Sequence, residues 1–402
     1  MTYKVFMENP YLKEMDSKII KNEFKDNKSY IQLDKTIFYP HLAGGQPMDF
    51  GTINGVEILE VYEDGEEIIH VVKGELKTSR VHLAIDWDRR LDLMQQHTGQ
   101  HLLSSSFDRL FNAETIGFHM GDEYLTIDVK KPYLTEDEAS QIEYLANKVV
   151  QSNFRVKSYF VEHNQLSKLP LRKDTSIEDD NIRIVEIDNV DYSACCGTHV
   201  STTGEIGLVK IRKWEKYKGN IRVEFICGTR ALKDYAWKNT YIKEIGKLLS
   251  SKDTDVLDKV EHLYNGKETL EKENKYLREQ IYNIKAELFL KESKEENGVN
   301  YIIKEFKDID MKEINLISSN LSRSQVNLIQ VYSISTNELG QFLICKSKDL
   351  EIDLKEIFEN VSNRIIIKGG GNQQMIQGAS SIAILGNVIN TFKTEIKKHF
   401  KG

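Results

Sequence analysis

Two motifs far apart in the chain share one chemistry, and any fold of this sequence must answer to them. The first is His97-Thr98-Gly99-Gln100-His101, an HxxxH set inside LDLMQQHTGQHLLSSSFDRLF. Around it Met94, Leu102, Leu103, Phe107, Leu110 and Phe111 recur at helical spacing. On a helix, residues i and i+4 stand one turn apart on one face, so both rings can reach one ion. The second is Cys195-Cys196-Gly197-Thr198-His199, a CxxxH set that pairs the Cys195 thiolate with the His199 imidazole. Three imidazoles and one thiolate suit a tetrahedral divalent ion, most simply a zinc ion held by His97, His101, Cys195 and His199. A fold that unites them must set a helix face against a distant turn.

Each motif alone is weak. HxxxH is as readily polar helix surface or satisfied core, and CxxxH is no stronger. Both in a chain of 10 His and 4 Cys carry more weight. A zincin needs Glu after the first His, and Thr98 stands there. A zinc ribbon needs paired CxxC, which is absent. Four Cys in 402 residues do not make a disulfide framework and fit a reducing cytosol. With 40% hydrophobic and 29% charged residues the chain reads as soluble and globular. No apolar run approaches the roughly 18 residues of a membrane span. The opening MTYKVFMENPYLKE is not a secretory signal. A cytoplasmic protein without membrane partners is expected.

The organisation reads as α+β. Residues 1–90 are mostly β, with VEILEVY (56–62) and EEIIHVV (66–72) flanking an Asp64-Gly65 turn, and predict a barrel-like subdomain. Within it, LDKTIFYPHLAGGQPMDFGTING (33–55) sets Thr36 and Gln46 beside Gly44 and Gly45, where backbone can approach a ligand; alone, this segment reads rather as a Gly/Pro turn between strands. Residues 91–240 predict an α+β metal-binding domain: the HxxxH helix, two strands over 115–132, and a helix over 135–152 with a Thr135/Glu138 capping box. Strands at 154–162 and 182–188 and a hairpin over 207–228 follow. Residues 241–297 predict a coiled-coil segment. Leu249, Val256, Leu263, Leu270, Leu277 and Ile284 lie seven apart, Val260, Ile281 and Leu288 fill the second seam, and Lys267 and Asn274 interrupt it. Such a rod is about 60 Å long, and Gly298 is expected to end it. Residues 298–402 predict a small α/β domain in which 364–381 reads as strand, glycine turn and helix, with Lys368, Gly369, Gly370 and Gly371 offering N–H groups to phosphate. It is not a P-loop, because no Gly-Lys-Ser/Thr follows.

The net charge of −7 argues mildly against nucleic acid, but its distribution does not. The hairpin carries Lys210, Arg212, Lys213, Lys216, Lys218 and Arg222 interleaved with Trp214 and Tyr217, the composition of a nucleic-acid surface or of a solvated hairpin face. From 364 onward Arg364, Lys368, Lys393, Lys397, Lys398 and Lys401 face Glu395 alone.

MQQHTGQHLLS (94–104), ACCGTHV (194–200), TIFYPHLAGGQP (36–47), LPLRK (169–173) and IGLVKIRKWEKYKGNIRVEFICG (206–228) together resemble the editing domain of alanyl-tRNA synthetase, and more closely its free-standing AlaX trans-editing relatives. The coiled coil and KGGGNQQMIQGA (368–379) are similar to the synthetase's C-terminal region, of the DHH-associated type. The likeness covers nearly the whole chain. It departs at Ala43, where the family commonly has Gly, and at Cys196, where many relatives have Gly and which is a second candidate thiolate. No DHH triplet occurs, so the last domain is not evidence of a phosphoesterase, and nothing here would activate alanine with ATP.

The resemblance implies a zinc-dependent aminoacyl-tRNA deacylase acting on mischarged tRNA(Ala), charged with serine or with glycine. It implies Thr36 as the contact to the serine hydroxyl. Gln46 and Gln100 are candidates to place water or polarise the carbonyl, and Gly44 and Gly45 to offer N–H groups to its oxygen. Lys210, Arg212, Lys213, Arg222 and the Lys368–Gly371 segment are candidate tRNA contacts. The heptads would separate two tRNA contacts or form a homodimer. The alternative is a non-catalytic tRNA-binding protein with a structural zinc. An unrelated metallohydrolase of small esters or peptides would leave the rod and the basic module unexplained.

Overall fold

The computed structural model describes residues 2–41, 45–173, 180–307, 309–336 and 339–400. They form two compact units, Met1–Ser250 and Ser251–Gly402. The expected break at 240/241 therefore falls inside a helix that belongs to the first unit.

The first unit begins with β1 (Tyr3–Lys4), β2 (Glu14–Lys25), β3 (Lys28–Leu33), β4 (Lys35–Thr36), β5 (Gly51–Ile53), β6 (Val56–Asp64), β7 (Glu67–Lys73) and β8 (Arg80–Ile85). Six of these strands hydrogen-bond in the order β2-β3-β7-β6-β5-β8 and close on themselves as a barrel. Alternation fills its interior: Ile31 and Leu33, Ile58 and Val61, Ile68 and Val72, and Val81 and Leu83 are buried together. Ile37, Phe38 and Tyr39, just after β4, join the same core.

Next comes α1 (Trp87–Phe111). Asp86 caps it by accepting the Arg89 N–H, and Asn112 ends it in the left-handed region at φ 49°. Leu93 through Phe107 are all buried, polar residues included, so this is a central helix with no solvated face. Leu110, grouped with the apolar stripe on spacing, is exposed because it lies beyond this buried stretch. Around α1 are β9 (Thr115–Met120), β10 (Leu125–Val129), α2 (Glu136–Ser152), β11 (Val156–Glu162), β12 (Asn181–Ile187), β13 (Asp191–Ala194), β14 (Val209–Tyr217), β15 (Asn220–Cys227) and α3 (Gly228–Leu249). The strands form a sheet of order β14-β15-β10-β9 and another of order β11-β12-β13. The Thr135/Glu138 capping box at the start of α2 is formed on both sides. One apolar core joins α1 to α2 and the four-stranded sheet through Leu103, Phe107, Ile142, Val149, Val223 and Phe225.

The second unit comprises α4 (Val256–Lys291), β16 (Lys294–Glu296), β17 (Val299–Lys307), α5 (Met311–Ser324), β18 (Leu328–Ser335), β19 (Gly340–Lys346), α6 (Leu354–Ser362), β20 (Lys368–Gly371), β21 (Met375–Ser380) and α7 (Ile382–His399). Its sheet has the order β16-β17-β18-β19-β21-β20. Only β17 and β18 pair in parallel, with α5 as the crossover.

Three local expectations are corrected. The heptad register is broken between Leu249 and Val256: Ser250 takes the left-handed conformation at φ 49° and ends α3 before α4 begins. Gly298 does not end a rod, since α4 stops at Lys291; Asn297 and Gly298, at φ 52° and 76°, make the tight turn of the β16–β17 hairpin. The 364–381 segment is an antiparallel hairpin and not strand, turn and helix. A Cβ on Gly369 or Gly371 would lie 2.2 or 2.1 Å from the carbonyls of Gln377 and Met375, so these glycines permit close strand pairing. They open no helix, because α7 starts only at Ile382.

Candidate metal centre and active site

The HxxxH face of α1 meets the turn that follows β13. The ligand atoms of His97, His101, Cys195 and His199 all lie within 4.8 Å of one another. Cys195 Sγ is 3.4 Å from His97 Nε2 and 3.3 Å from His199 Nε2. The three histidines are buried and Cys195 is half-buried. The neighbouring Cys196 is exposed and lies outside the cluster.

Each imidazole is oriented from behind by its other nitrogen. His97 Nδ1 donates to Gln46 Oε1 at 3.0 Å, and His101 Nδ1 to Asp191 Oδ2 at 2.8 Å. His199 Nδ1 lies 3.1 Å from Thr98 Oγ1. Thr98 gives its one proton to the Met94 carbonyl at 2.8 Å, so it accepts from His199. With each Nδ1 bonded this way, the three Nε2 lone pairs are left for the common centre. This is the support a metal-binding imidazole requires. The donor set of three nitrogens and one thiolate fits a tetrahedral divalent ion.

Electrostatics favour the ionised Cys195 and neutral His199 that a metal needs, while His101 keeps a proton that a bound ion would displace. Burial acts to raise the Cys195 pKa, but His97 and His199, with hydrogen bonds from His101 and His199, outweigh it and hold the thiol well below its usual range. Burial lowers the His199 pKa to about 3. Burial also acts to lower that of His101, but Asp191 and Cys195 prevail and raise it to about 9. Asp191, itself buried, is held at about 2 against its desolvation by His101 and Arg172. Arg172 Nε donates to Asp191 Oδ1 at 2.6 Å, and Ser193 Oγ to Oδ2 at 2.9 Å.

Gln46 is completely buried. Its Oε1 accepts the Thr198 N–H at 3.0 Å as well as His97, and its Nε2 donates to Thr198 Oγ1 at 2.9 Å. It thereby ties the glycine-rich loop to both halves of the centre. Gly197 must be glycine here: a Cβ would lie 2.0 Å from the His97 ring. Phe118 of β9 stacks on His97 with centroids 5.5 Å apart, and faces Gly45. Gly44 lies outside the described residues. Thr36 is buried, its hydroxyl 2.8 Å from His70 Nε2 and 3.1 Å from the Phe38 N–H. Gln100, on the same helix as the histidines, donates to Ser104 Oγ at 2.8 Å.

The basic hairpin is largely neutralised within its own unit. Lys210 pairs with Glu143 at 2.8 Å, and both Arg212 and Lys213 reach Glu224 at 3.3 Å. Arg222 grips both oxygens of Asp128 at 2.7 and 2.8 Å. Among the described residues Lys216 and Lys218 have no carboxylate partner. Lys368 and Gly369–Gly371 belong to the second unit. Asp191, Thr98 and Arg172 were not singled out as site residues by sequence. Thr98 and Arg172 lie in the MQQHTGQHLLS and LPLRK segments that carry the resemblance, and nothing in the sequence pointed to Asp191.

Comparison with known proteins bears on this site. The family described as "Threonyl and Alanyl tRNA synthetase second additional domain" matches residues 182–224, which include Cys195 and His199. Alanyl-tRNA editing protein AlaX-L of Pyrococcus horikoshii is 30% identical over 397 residues, covering 94% of this chain and 94% of the relative. The chain belongs to the alanyl-tRNA editing protein family. Within that family, Alanyl-tRNA editing protein Aarsd1 of Danio rerio is 30% identical, covering 87% of this chain and 84% of the relative. An alanine–tRNA ligase of Ignicoccus hospitalis is 32% identical over 77% of this chain, a match that spans 35% of the ligase. Among the described residues no helix is long and apolar enough to cross a membrane.

Proposed function

We propose that this protein hydrolyses mischarged aminoacyl-tRNA(Ala), with seryl-tRNA(Ala) as the first substrate and glycyl-tRNA(Ala) as the second, at a centre that holds one zinc ion. The observation that carries the reading is the gathering of His97, His101, Cys195 and His199 within 4.8 Å, in a chain of the alanyl-tRNA editing family. The need for such an enzyme is physical. A pocket for alanine gains only about 1–3 kcal/mol from one methyl group, so it discriminates poorly against glycine, and it rejects an added hydroxyl no better. A second site that hydrogen-bonds the hydroxyl separates seryl from alanyl esters far more sharply.

The reaction adds water across the ester that joins the amino acid to the terminal ribose, releasing the acid and the free ribose hydroxyl. Bound zinc supplies Lewis-acid polarisation. The Gly45 turn, at φ 81° and facing Phe118, is the backbone assigned to the carbonyl oxygen. Gln100 lies along the buried face of α1 to place water. Thr36 is assigned the serine hydroxyl. His70 Nδ1 lies 3.2 Å from the Ile31 carbonyl and donates to it, so Nε2 takes the Thr36 proton. Thr36 then has one lone pair left, which suits the hydroxyl donor of serine and has nothing to bind on alanine. The β14–β15 hairpin, with Lys216 and Lys218 lacking a carboxylate partner among the described residues beside Trp214 and Tyr217, and the basic 364–402 segment of the second unit serve as tRNA contacts. Two such contacts on one chain gain affinity through effective concentration. The protein is assigned to the cytoplasm, and ATP has no role.

A second reading has one observation in its favour. All four positions of the cluster are protein ligands, as in closed structural zinc sites. It makes the protein a tRNA binder without chemistry. The deciding experiment is deacylation of seryl-tRNA(Ala), beside alanyl-tRNA(Ala), by the purified protein and by Cys195→Ala. Loss of serine alone, abolished in the variant, supports editing. Bound zinc and tRNA with neither ester cleaved faster than in buffer refutes it. Thr36→Val should keep zinc and lose serine selectivity; unchanged selectivity removes Thr36 from the mechanism.

A further inference from the structure

Arg183 on β12 is only 4% exposed, among the apolar residues Ile182, Ile184 and Val185. Among the described residues no carboxylate pairs with it, and the one ionised group beside it is the Cys195 thiolate. A buried guanidinium in a strand is costly and is retained where it holds something. Here it holds the ligand turn. Nη1 donates to the Cys195 carbonyl at 2.8 Å and to the Gly197 carbonyl at 2.9 Å. Nη2 reaches the Met7 carbonyl at 3.3 Å, and Nε has no partner. The backbone carbonyl of Arg183 accepts the Cys195 N–H at 3.1 Å, so this one residue grips Cys195 from both directions. Inside the clamped turn the Gly197 N–H points to Cys195 Sγ at 3.4 Å.

We propose that Arg183 is a positioning residue whose guanidinium clamps the Cys195–Gly197 turn by its carbonyls and so sets Cys195 and His199 at the spacing of the ligand cluster. This rests on the metal reading of the cluster. The imidazoles of His97 and His101 are oriented by Gln46 and Asp191, whereas among the described residues Cys195 has no side-chain partner outside the cluster that plays this part. Arg183 takes it through the main chain. Its two carbonyl contacts need a planar fork of donors, which the single ammonium of lysine does not reproduce.

The test uses the full chain loaded with cobalt(II), read by the thiolate-to-cobalt charge-transfer absorption and by cobalt release to an excess of chelator. Arg183→Met should bind cobalt with a weakened charge-transfer band and release it about 10–100-fold faster than wild type. Arg183→Lys should fall between the two. A role confined to stability would lower the melting temperature and leave band and release unchanged, and that result overturns the clamp. If Arg183→Met does not fold, Arg183→Lys decides: faster release sustains the proposal and wild-type release refutes it. Cys195→Ala separates the layers. If it keeps the wild-type band and release rate, the metal reading itself fails. If it loses both while the Arg183 variants behave as wild type, only the clamp falls.

Discussion

The ion pair between Asp49 and Arg90 fixes the glycine-rich loop to the helix that carries His97 and His101, and its removal should be severe. Both side chains are fully buried. Asp49 Oδ1 accepts Arg90 Nε at 2.9 Å, and Oδ2 accepts the Tyr39 N–H at 2.6 Å in addition to a second contact from the guanidinium. Arg90 also donates to the carbonyls of Ile37 at 2.6 Å and Pro10 at 2.8 Å. Asp49→Ala leaves a buried cation uncompensated, about 3–5 kcal/mol. It also strips the Tyr39 N–H of its acceptor, about 1–3 kcal/mol. The two losses share one network and do not simply add, so about 4–6 kcal/mol is expected. Set against a stability of about 5–15 kcal/mol for a typical domain, that is enough to unfold a marginal one. The assay is urea denaturation followed by tryptophan fluorescence, which reports the first unit because Trp87, Trp214 and Trp237 all lie in it. Asp49→Asn/Arg90→Met removes both charges and should be more stable than Asp49→Asn alone. If the double variant instead loses the sum of the two single losses, the pair is not coupled and the reasoning fails.

Three further outcomes are expected. Asp191→Ala leaves His101 and Arg172 without their shared carboxylate and should weaken metal binding about 10–100-fold in chelator competition; unchanged affinity would show that Asp191 does not support the centre. Burial lowers the His70 pKa from 6.5 to about 4, against the hydrogen bond to Ile31. The unfolded chain therefore binds the extra proton first, and stability should fall by up to about 3 kcal/mol as pH drops through that window. His70→Gln should flatten this limb in urea midpoints compared at pH about 7 and about 5, and an equally steep fall would assign the loss to other groups. Leu263, Leu270, Leu277 and Ile284 of α4 are all more than half exposed, so a second copy pairing along this seam should give a dimer by sedimentation that Leu270→Glu/Leu277→Glu converts to monomer. A monomeric wild type removes the seam as an interface.

The four candidate ligands were legible because two local spacings announce them. A helix places i and i+4 together whatever surrounds it, and a short turn does the same for Cys195 and His199. The Thr135/Glu138 box and the Asp64-Gly65 hairpin are legible for the same reason: each is decided within a few residues. What supports the ligands is not local. Asp191 is 90 residues from His101, Gln46 51 from His97, and Asp49 41 from Arg90, and no periodicity links such pairs. The α1 spacing gave the helix and its end at Phe111 but not its burial, since a helix buried on every side for most of its length has no apolar stripe to mark a buried face. The Lys368-Gly369-Gly370-Gly371 run was ambiguous for a further reason. Glycine serves a phosphate-facing turn and a tightly paired strand equally well, and only the carbonyls of Gln377 and Met375 opposite decide between them.

These supports also bear on the choice between a closed structural site and a reactive one. The three imidazoles are buried and each is held through Nδ1 by a group that is itself bonded: Gln46 to Thr198, Asp191 to Arg172, Thr98 to Met94. Rotating any of them away from the centre would break at least one buried hydrogen bond, and leaving either group unpaired costs about 1–3 kcal/mol. Cys195 differs. It is half-buried, its sulfur accepts only the Gly197 N–H outside the ligand set among the described residues, and the Arg183 clamp acts on its backbone and not on its thiol. A rotation about Cα–Cβ would carry Sγ away and leave that clamp intact. If one protein ligand yields its place to substrate, the structure makes Cys195 the one that moves at least cost.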